Sequence, residues 1–210
     1  MDINFKTFFS EQARNPSGLF GRWVMSKIFD HGNAALNNFM KEQLLLQEND
    51  HVLEIGFGTG KLIFEMAKQV NKGLIEGIDL SDTMVAIAEK KNKNFIAEGK
   101  VIIQQGDFEE TAYNDNRFDK ICSANTIYFW PQPQNCIKNI LRILKPGGKL
   151  ILAFVDKAQL ERRPLSTNVF HFYHQDEVIP LLSRNGFSGS VDMISKEIKS
   201  QRYHCAVAVK

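Results

Sequence analysis

The sequence predicts an α/β protein with a doubly wound, mostly parallel sheet of seven strands, an antiparallel C-terminal strand and an N-terminal helical cap. Three observations carry this. From His51 onward, short apolar strand-like runs alternate with longer segments of helical periodicity. The first of these runs turns through closely spaced glycines straight into a helical pattern, Leu62, Ile63, Met66, Ala67 and Val70. The last two runs are joined only by a short charged turn, which suits an antiparallel pair, because parallel neighbours need a long crossover.

The strands are expected at 52–55, 74–78, 101–104, 118–123 and 149–154, followed by 189–194 and 203–209. Helices are expected at 61–70, 82–95 and 134–144, with a short one after Phe108 and another around 177–185 that contains Pro180. Before residue 47 no run reads as a strand. Apolar residues at mixed three and four spacing predict two amphipathic helices, 19–29 and 34–46, behind a turn at Asn15-Pro16-Ser17-Gly18 and separated at His31-Gly32-Asn33. The expected division is therefore a helical cap or lid over 1–47 and an α/β domain over 48–210. Phe5, Phe8, Phe9 and Phe20 in the leading segment suit either a closing lid or an ordinary helical cover over one sheet edge.

A chain of 210 residues with 43% hydrophobic and 24% charged content is ordinary for a globular domain and long enough for a full core. Its net charge of +2 gives no reason to expect a nucleic-acid partner. Three scattered cysteines, Cys122, Cys136 and Cys205, lack any Cys-x-x-Cys pair and fit free thiols in a reducing compartment. The N-terminus lacks the basic and apolar regions of a signal peptide, and no run approaches the length of a membrane span. A cytoplasmic protein is expected.

The chemistry concentrates at strand ends. In Val52-Leu53-Glu54-Ile55-Gly56-Phe57-Gly58-Thr59-Gly60, glycines at alternate positions let the backbone turn tightly and approach a ligand, while the following helix presents free N–H groups. Asp79 closes the second strand nineteen positions after Gly60, where a carboxylate can accept hydrogen bonds from ribose hydroxyls. Gly106-Asp107-Phe108 closes the third, placing a carboxylate and an aromatic beside one another; Asp107 also suits a cap for the short helix that follows. Lys61 stands where the dinucleotide fingerprint has its third glycine, so that glycine is absent. Lys145-Pro146-Gly147-Gly148 forms a turn before the fifth strand.

Together, the glycine loop, Asp79, Gly106-Asp107 and the Lys-Pro-Gly-Gly turn resemble class I S-adenosylmethionine-dependent methyltransferases, motif by motif over about 52–154. The resemblance implies a Rossmann-like domain with S-adenosyl-L-methionine as cofactor. It implies that Gly56, Gly58 and Gly60 pass under the methionine part, with Glu54 ordering the loop, and that Asp79 and the adjacent Leu80 lie at the ribose. Gly106, Asp107 and Phe108 then lie at adenine, with Met84 either over its face or simply packing. Ser123 and Asn125, after the fourth strand, fall beside the transferring methyl.

The layout is similar to the broad small-molecule grouping that includes quinone-biosynthesis enzymes, so a small-molecule acceptor is expected. The segment after the fourth strand lacks the Asn-Pro-Pro-Tyr type of motif found in many nucleic-acid adenine and protein glutamine methyltransferases, which counts against those substrates. Tyr128, Trp130 and His171 are candidate acceptor contacts, the aromatics serving equally well as core. In-line displacement on an activated methyl needs alignment more than a nucleophile, and no catalytic residue is assigned. His31, His171 and His174 are the histidines placed to serve as a base if one is needed. His171, His174 and Glu177 share a three-residue spacing, but Tyr173 to Glu177 reads better as a helix start than as a metal site, and no metal is expected. A nicotinamide-dependent oxidoreductase and a non-catalytic binding protein on the same fold are the competing readings.

Overall fold

The computed structural model describes residues 3–210. Its centre is a seven-stranded sheet in the order β3-β2-β1-β4-β5-β7-β6. The strands are β1 (His51–Ile55), β2 (Leu74–Asp79), β3 (Val101–Gln105), β4 (Phe118–Ala124), β5 (Leu144–Val155), β6 (Val191–Ile198) and β7 (Gln201–Val209). The first five pair in parallel, and β7 runs antiparallel to both β5 and β6. All seven strands form where the pattern places them. The β6–β7 hairpin is tighter than the expected charged turn: Lys199 and Ser200 both take left-handed backbone angles and join Ile198 directly to Gln201.

Five further helices build the cap and the first crossovers: α1 (Ile3–Arg14), α2 (Gly18–Phe20), α3 (Ser26–Gly32), α4 (Ala34–Leu44) and α5 (Lys61–Ala67). They are followed by α6 (Asp82–Ala97), α7 (Pro133–Ile143), α8 (Lys157–Leu160) and α9 (Gln175–Arg184). Helices α5 and α6 cover β2 and β3, α4 and α7 cover the middle strands, and α9 covers the β6–β7 hairpin. Most of the sheet interior is hydrocarbon, with Leu53, Ile75, Ile121, Leu150, Leu152 and Phe154 all out of water, as strands covered on both faces require.

Three differences from expectation have local causes. The run predicted as one helix from Leu19 is interrupted by a wide π turn, Gly21–Met25, where Gly21 rides against Pro16: a Cβ there would lie 2.7 Å from the proline carbonyl carbon. No helix forms after Phe108, because Asp107 closes a turn instead; its carboxylate accepts from Glu109 N–H at 2.9 Å and its carbonyl from Thr111 N–H at 3.0 Å. The Lys-Pro-Gly-Gly turn is absorbed into β5 as a bulge, the β4 register passing from Phe118↔Leu144 to Lys120↔Lys149. Pro180 sits inside α9 without ending it.

The parallel strands all point the same way, so their C-terminal ends converge on one edge. The chain reverses its winding direction between β1 and β4, and a crevice opens there. At the opposite edge, Gly73 admits the close pass of β2 under the preceding loop: its N–H donates to Glu48 O at 3.0 Å, and a Cβ would stand 2.0 Å from Asp50 O. Gly73→Ala should therefore destabilise the fold by about 2–3 kcal/mol and lower Tm by roughly 5–10 °C, measured by urea and thermal unfolding.

Candidate cofactor and acceptor site

The crevice is a cavity of about 450 Å³ walled by the C-terminal ends of the parallel strands, the loop after β4, the segment after α8 and the cap helices. Its floor begins with the glycine loop. Gly56 N–H donates to Ile78 O at 2.8 Å, carrying the β1–β2 pairing one residue past the strand, and the chain then turns left-handed at Gly56 (φ 71°). A Cβ on Gly56 would lie 2.4 Å from Thr126 Cγ2, and one on Gly60 2.6 Å from Ala88 Cβ. The loop is thus clamped between the turn after β4 and α6, at positions only glycine can occupy. Buried Asn92 fastens its far end, donating to Gly60 O at 3.1 Å and Ala88 O at 2.9 Å.

Two carboxylates face this loop with no cation paired to either among the described residues. Glu54 is 3% exposed, and its Oε2 has no hydrogen-bond partner. Burial, reinforced by the charge of Asp79, pushes its pKa well above the usual carboxylate range. Asp79 Oδ2 accepts from Gly58 N–H at 2.7 Å, and Oδ1 from Ser81 N–H at 2.9 Å. Burial outweighs these two amides and raises its pKa to about 6. Gly106 follows on, its N–H donating to Asp79 O at 3.0 Å, so the ends of β2 and β3 present Asp79, Leu80, Gly106, Asp107 and Phe108 along one wall.

The opposite wall comes from the loop after β4. Asn125 has a left-handed backbone (φ 58°), and its amide donates to Asn33 Oδ1 at 3.1 Å. The Tyr128 hydroxyl is buried, donating to Asn125 Oδ1 at 3.1 Å and receiving Val155 N–H at 2.6 Å; burial pushes its pKa far up. Phe129 and Phe170 meet edge to face at 4.6 Å, and with Trp130 they make an aromatic surface.

Of the residues singled out in the sequence, Glu54, Gly56, Gly58, Asp79, Leu80, Gly106, Asp107, Phe108, Asn125, Tyr128 and Trp130 line the cavity. Gly60, Met84, Ser123 and His171 do not. Gly60 starts α5, and Met84 is fully buried with its N–H on the Ser81 cap. Ser123 Oγ donates to Ile55 O at 2.9 Å behind the loop. His171 is exposed, its N–H bound to Tyr128 O at 2.9 Å and its ring against Tyr173. His174 caps α9 reciprocally with Glu177, so that grouping serves the helix end.

Residues the sequence reading did not single out are Thr126, Asn33, Phe29, Phe170, Arg14 and Arg163. The cap is tied over the loop by side chains from α3, from α6 and its cap residue, and from the loop itself. Thr59 Oγ1 donates to Asp30, Lys91 Nζ reaches Asp30 at 3.3 Å and Thr59 at 3.1 Å, and Ser81 Oγ donates to Pro16 O. Phe29 rests on the loop, 3.3 Å from where a Gly58 Cβ would be.

An open sheet of this order, with a glycine loop and acids at successive strand ends, defines the class I methyltransferase architecture. The methyltransferase domain model matches residues 53–152. The chain is 31% identical over 178 residues to the uncharacterized methyltransferase YdaC of Bacillus subtilis (strain 168), covering 85% of this chain and 93% of that protein. It is 29% identical over 143 residues to a demethylmenaquinone methyltransferase of Lactiplantibacillus plantarum, covering 68% of this chain and 59% of that one. A Haemonchus contortus phospholethanolamine N-methyltransferase 2, solved with phosphomonomethylethanolamine and S-adenosylhomocysteine, superposes with a TM-score of 0.76 at 17% identity, covering 97% of this chain and 60% of that chain. The chain belongs to the S-adenosylmethionine-dependent methyltransferases. Its cofactor is S-adenosylmethionine and its reaction is methyl transfer; the dinucleotide reading is set aside.

The cavity fits that cofactor on two counts. A buried carboxylate oxygen without a partner, on Glu54, asks for a donor, and Gly56 and Gly58, whose left-handed backbone favours glycine, bring the loop backbone to the cavity wall. Asp79→Ala should remove charge-assisted hydrogen bonds and weaken S-adenosylhomocysteine binding at least about tenfold, measured by calorimetry. The raised pKa of Asp79 gives a second expectation. Between pH 4 and 6 the folded protein holds a proton that the unfolded chain has lost, so this group's contribution to apo stability falls as pH rises through that window. Hydroxyl donors need the ionised form, so affinity for S-adenosylhomocysteine should improve about tenfold from pH 5 to pH 7. Asp79→Asn should flatten that step.

Proposed function

We propose that the acceptor is a small molecule with an aromatic or apolar part, held against Phe129, Trp130 and Phe170 with Tyr128 behind them. The observation that carries this is the pairing, within one cavity, of an acid-bearing wall at the strand ends with an aromatic wall opposite. A relative named for demethylmenaquinone supports an acceptor of this kind.

On this reading Glu54, Gly56, Gly58 and Gly60 hold the methionine part of the cofactor. Asp79 and Leu80 hold the ribose, and Gly106, Asp107 and Phe108 flank adenine, with Met84 packed beneath. Ser123 and Asn125 shape the backbone at the transfer point. The cofactor supplies a methyl group already activated on a sulfonium. What the chain contributes is alignment and exclusion of water: Asn33 and Asn125 bind the cap to the β4 loop, and Phe9, Phe29 and Met25 close the cavity from the cap side. The Tyr128 hydroxyl, committed to Val155 and Asn125, holds the aromatic wall rather than a proton in transit. His171, turned away from the cavity, takes no part. The segment over 1–47 acts as a lid on the domain over 48–210.

The three cysteines are free and buried, which supports a reducing, cytoplasmic setting. Among the described residues no helix is long and apolar enough to cross a membrane.

The test is transfer of labelled methyl from S-adenosylmethionine into a metabolite extract, with calorimetry for cofactor choice. S-adenosylhomocysteine should bind and a nicotinamide dinucleotide should not, and label should appear in the small-molecule fraction. Label confined to protein or nucleic acid would overturn the acceptor class.

A further inference from the structure

The charges that line the cavity are unevenly placed. Glu54, Asp79, Asp107 and Glu109 line it at the strand ends, with Lys61 and Asp30 meeting beside the glycine loop, where Lys61 Nζ donates to Asp30 O at 3.3 Å, whereas Arg14 and Arg163 line it where α1 meets the segment after α8. Those two segments are joined: Ser166 N–H donates to Ser10 Oγ at 2.9 Å. Ser10 lies one helical turn before Arg14 on α1, and Ser166 lies three residues beyond Arg163, so both guanidiniums belong to the same rim.

Among the described residues neither arginine has an ion pair or a side-chain hydrogen bond. The acids that might have served are committed elsewhere. Asp30 is taken by Thr59 and Lys91, Asp156 by His204 at 3.0 Å and Ala158 N–H at 2.9 Å, and Glu109 accepts from the Cys136 thiol at 2.9 Å. The apolar side chains of Phe9, Leu165 and Phe170 line the same cavity.

We propose that the methyl acceptor carries an oxyanion, a carboxylate or a phosphate, on its apolar or aromatic frame, and that Arg14 and Arg163 are the specificity-determining residues that receive it. This rests on the reading that the aromatic half of the cavity takes the acceptor. A guanidinium presents donors in a fork matched to both oxyanions, and the acid wall repels the same group from the cofactor half. One cavity thereby sorts its two ligands, the cationic sulfonium compound towards the carboxylates and the anionic acceptor towards the rim. Both arginines are exposed, so water screens each contact and the effect is selectivity more than tight binding.

The test uses the full chain saturated with S-adenosylhomocysteine and titrated at low salt with benzoate, phenyl phosphate and benzamide. At least one of the two anions should bind about tenfold or more tightly than neutral benzamide, and which one does separates carboxylate from phosphate. The double variant Arg14→Gln, Arg163→Gln should erase that ratio and leave the dissociation constant of S-adenosylhomocysteine within about twofold, which also shows that the variant folds. A benzamide affinity equal to that of both anions overturns the oxyanion and leaves the aromatic acceptor standing. Binding by none of the three overturns both. A preference that survives in the double variant removes the arginines from the role. Failure of the unaltered chain to take S-adenosylhomocysteine would instead break the cofactor reading.

Discussion

Burying a carboxylate without a cation is costly, and this protein does so twice, on neighbouring strands. Elsewhere in the sheet the same problem is solved by pairing. Although burial pushes the other way, hydrogen bonds from His51 and Arg117 hold the Glu76 carboxyl below its ordinary range; Asp119 is held low by Lys145 in the same way, and buried Asp50 meets Lys120. Glu54 and Asp79 are left to backbone amides or to nothing, and both titrate high. The contrast separates two groups: acids at the N-terminal ends of the strands hold the fold together, and Glu54 and Asp79 at the C-terminal ends have no cation paired to them among the described residues. The parallel register makes this possible, since Glu54 lies opposite Gly77 and the Gly56 amide reaches past the strand to Ile78.

The cap is part of that arrangement. Ser81 caps α6 by accepting Met84 N–H, and its own proton goes to Pro16 of the cap, so one side chain fixes a helix start and the cap backbone together. Ser81 N–H also orients Asp79. Displacement of the cap would therefore be felt at the Asp79 carboxylate through a single serine. The Asp30 cluster does the same for the glycine loop, through Thr59.

The strands and the glycine loop were legible because both are local: apolar runs of strand length, glycines where no Cβ fits, and an acid at a strand end. What the sequence hid depended on partners far along the chain. Helix α1 was not expected, although Phe5, Phe8, Phe9 and Ala13 recur at helical spacing; its inner face packs on the cavity and cap rather than the sheet, so no neighbouring strand signalled it. Asn92 looks like one more polar residue in a charged helix until its amide is seen on Gly60, and Arg14 and Arg163, far apart in sequence, line one cavity where the Ser10–Ser166 bond joins their segments. The helix expected after Phe108 failed for the reverse reason: Asp107 is as good a turn former as a helix cap, and the turn prevailed.

The placement of β7 bears on how the chain is made. It is last of the strands in sequence yet lies inside the sheet, between β5 and β6. During synthesis, β5 and the core behind it have an unfilled edge, and β6 has no neighbour to bond, until residues 201–209 arrive. The nascent protein thus carries an exposed hydrogen-bonding edge from the completion of β5 at Val155 until β7 is made, and the small hairpin at Lys199-Ser200, by folding β7 back at once, shortens the time that edge stays open.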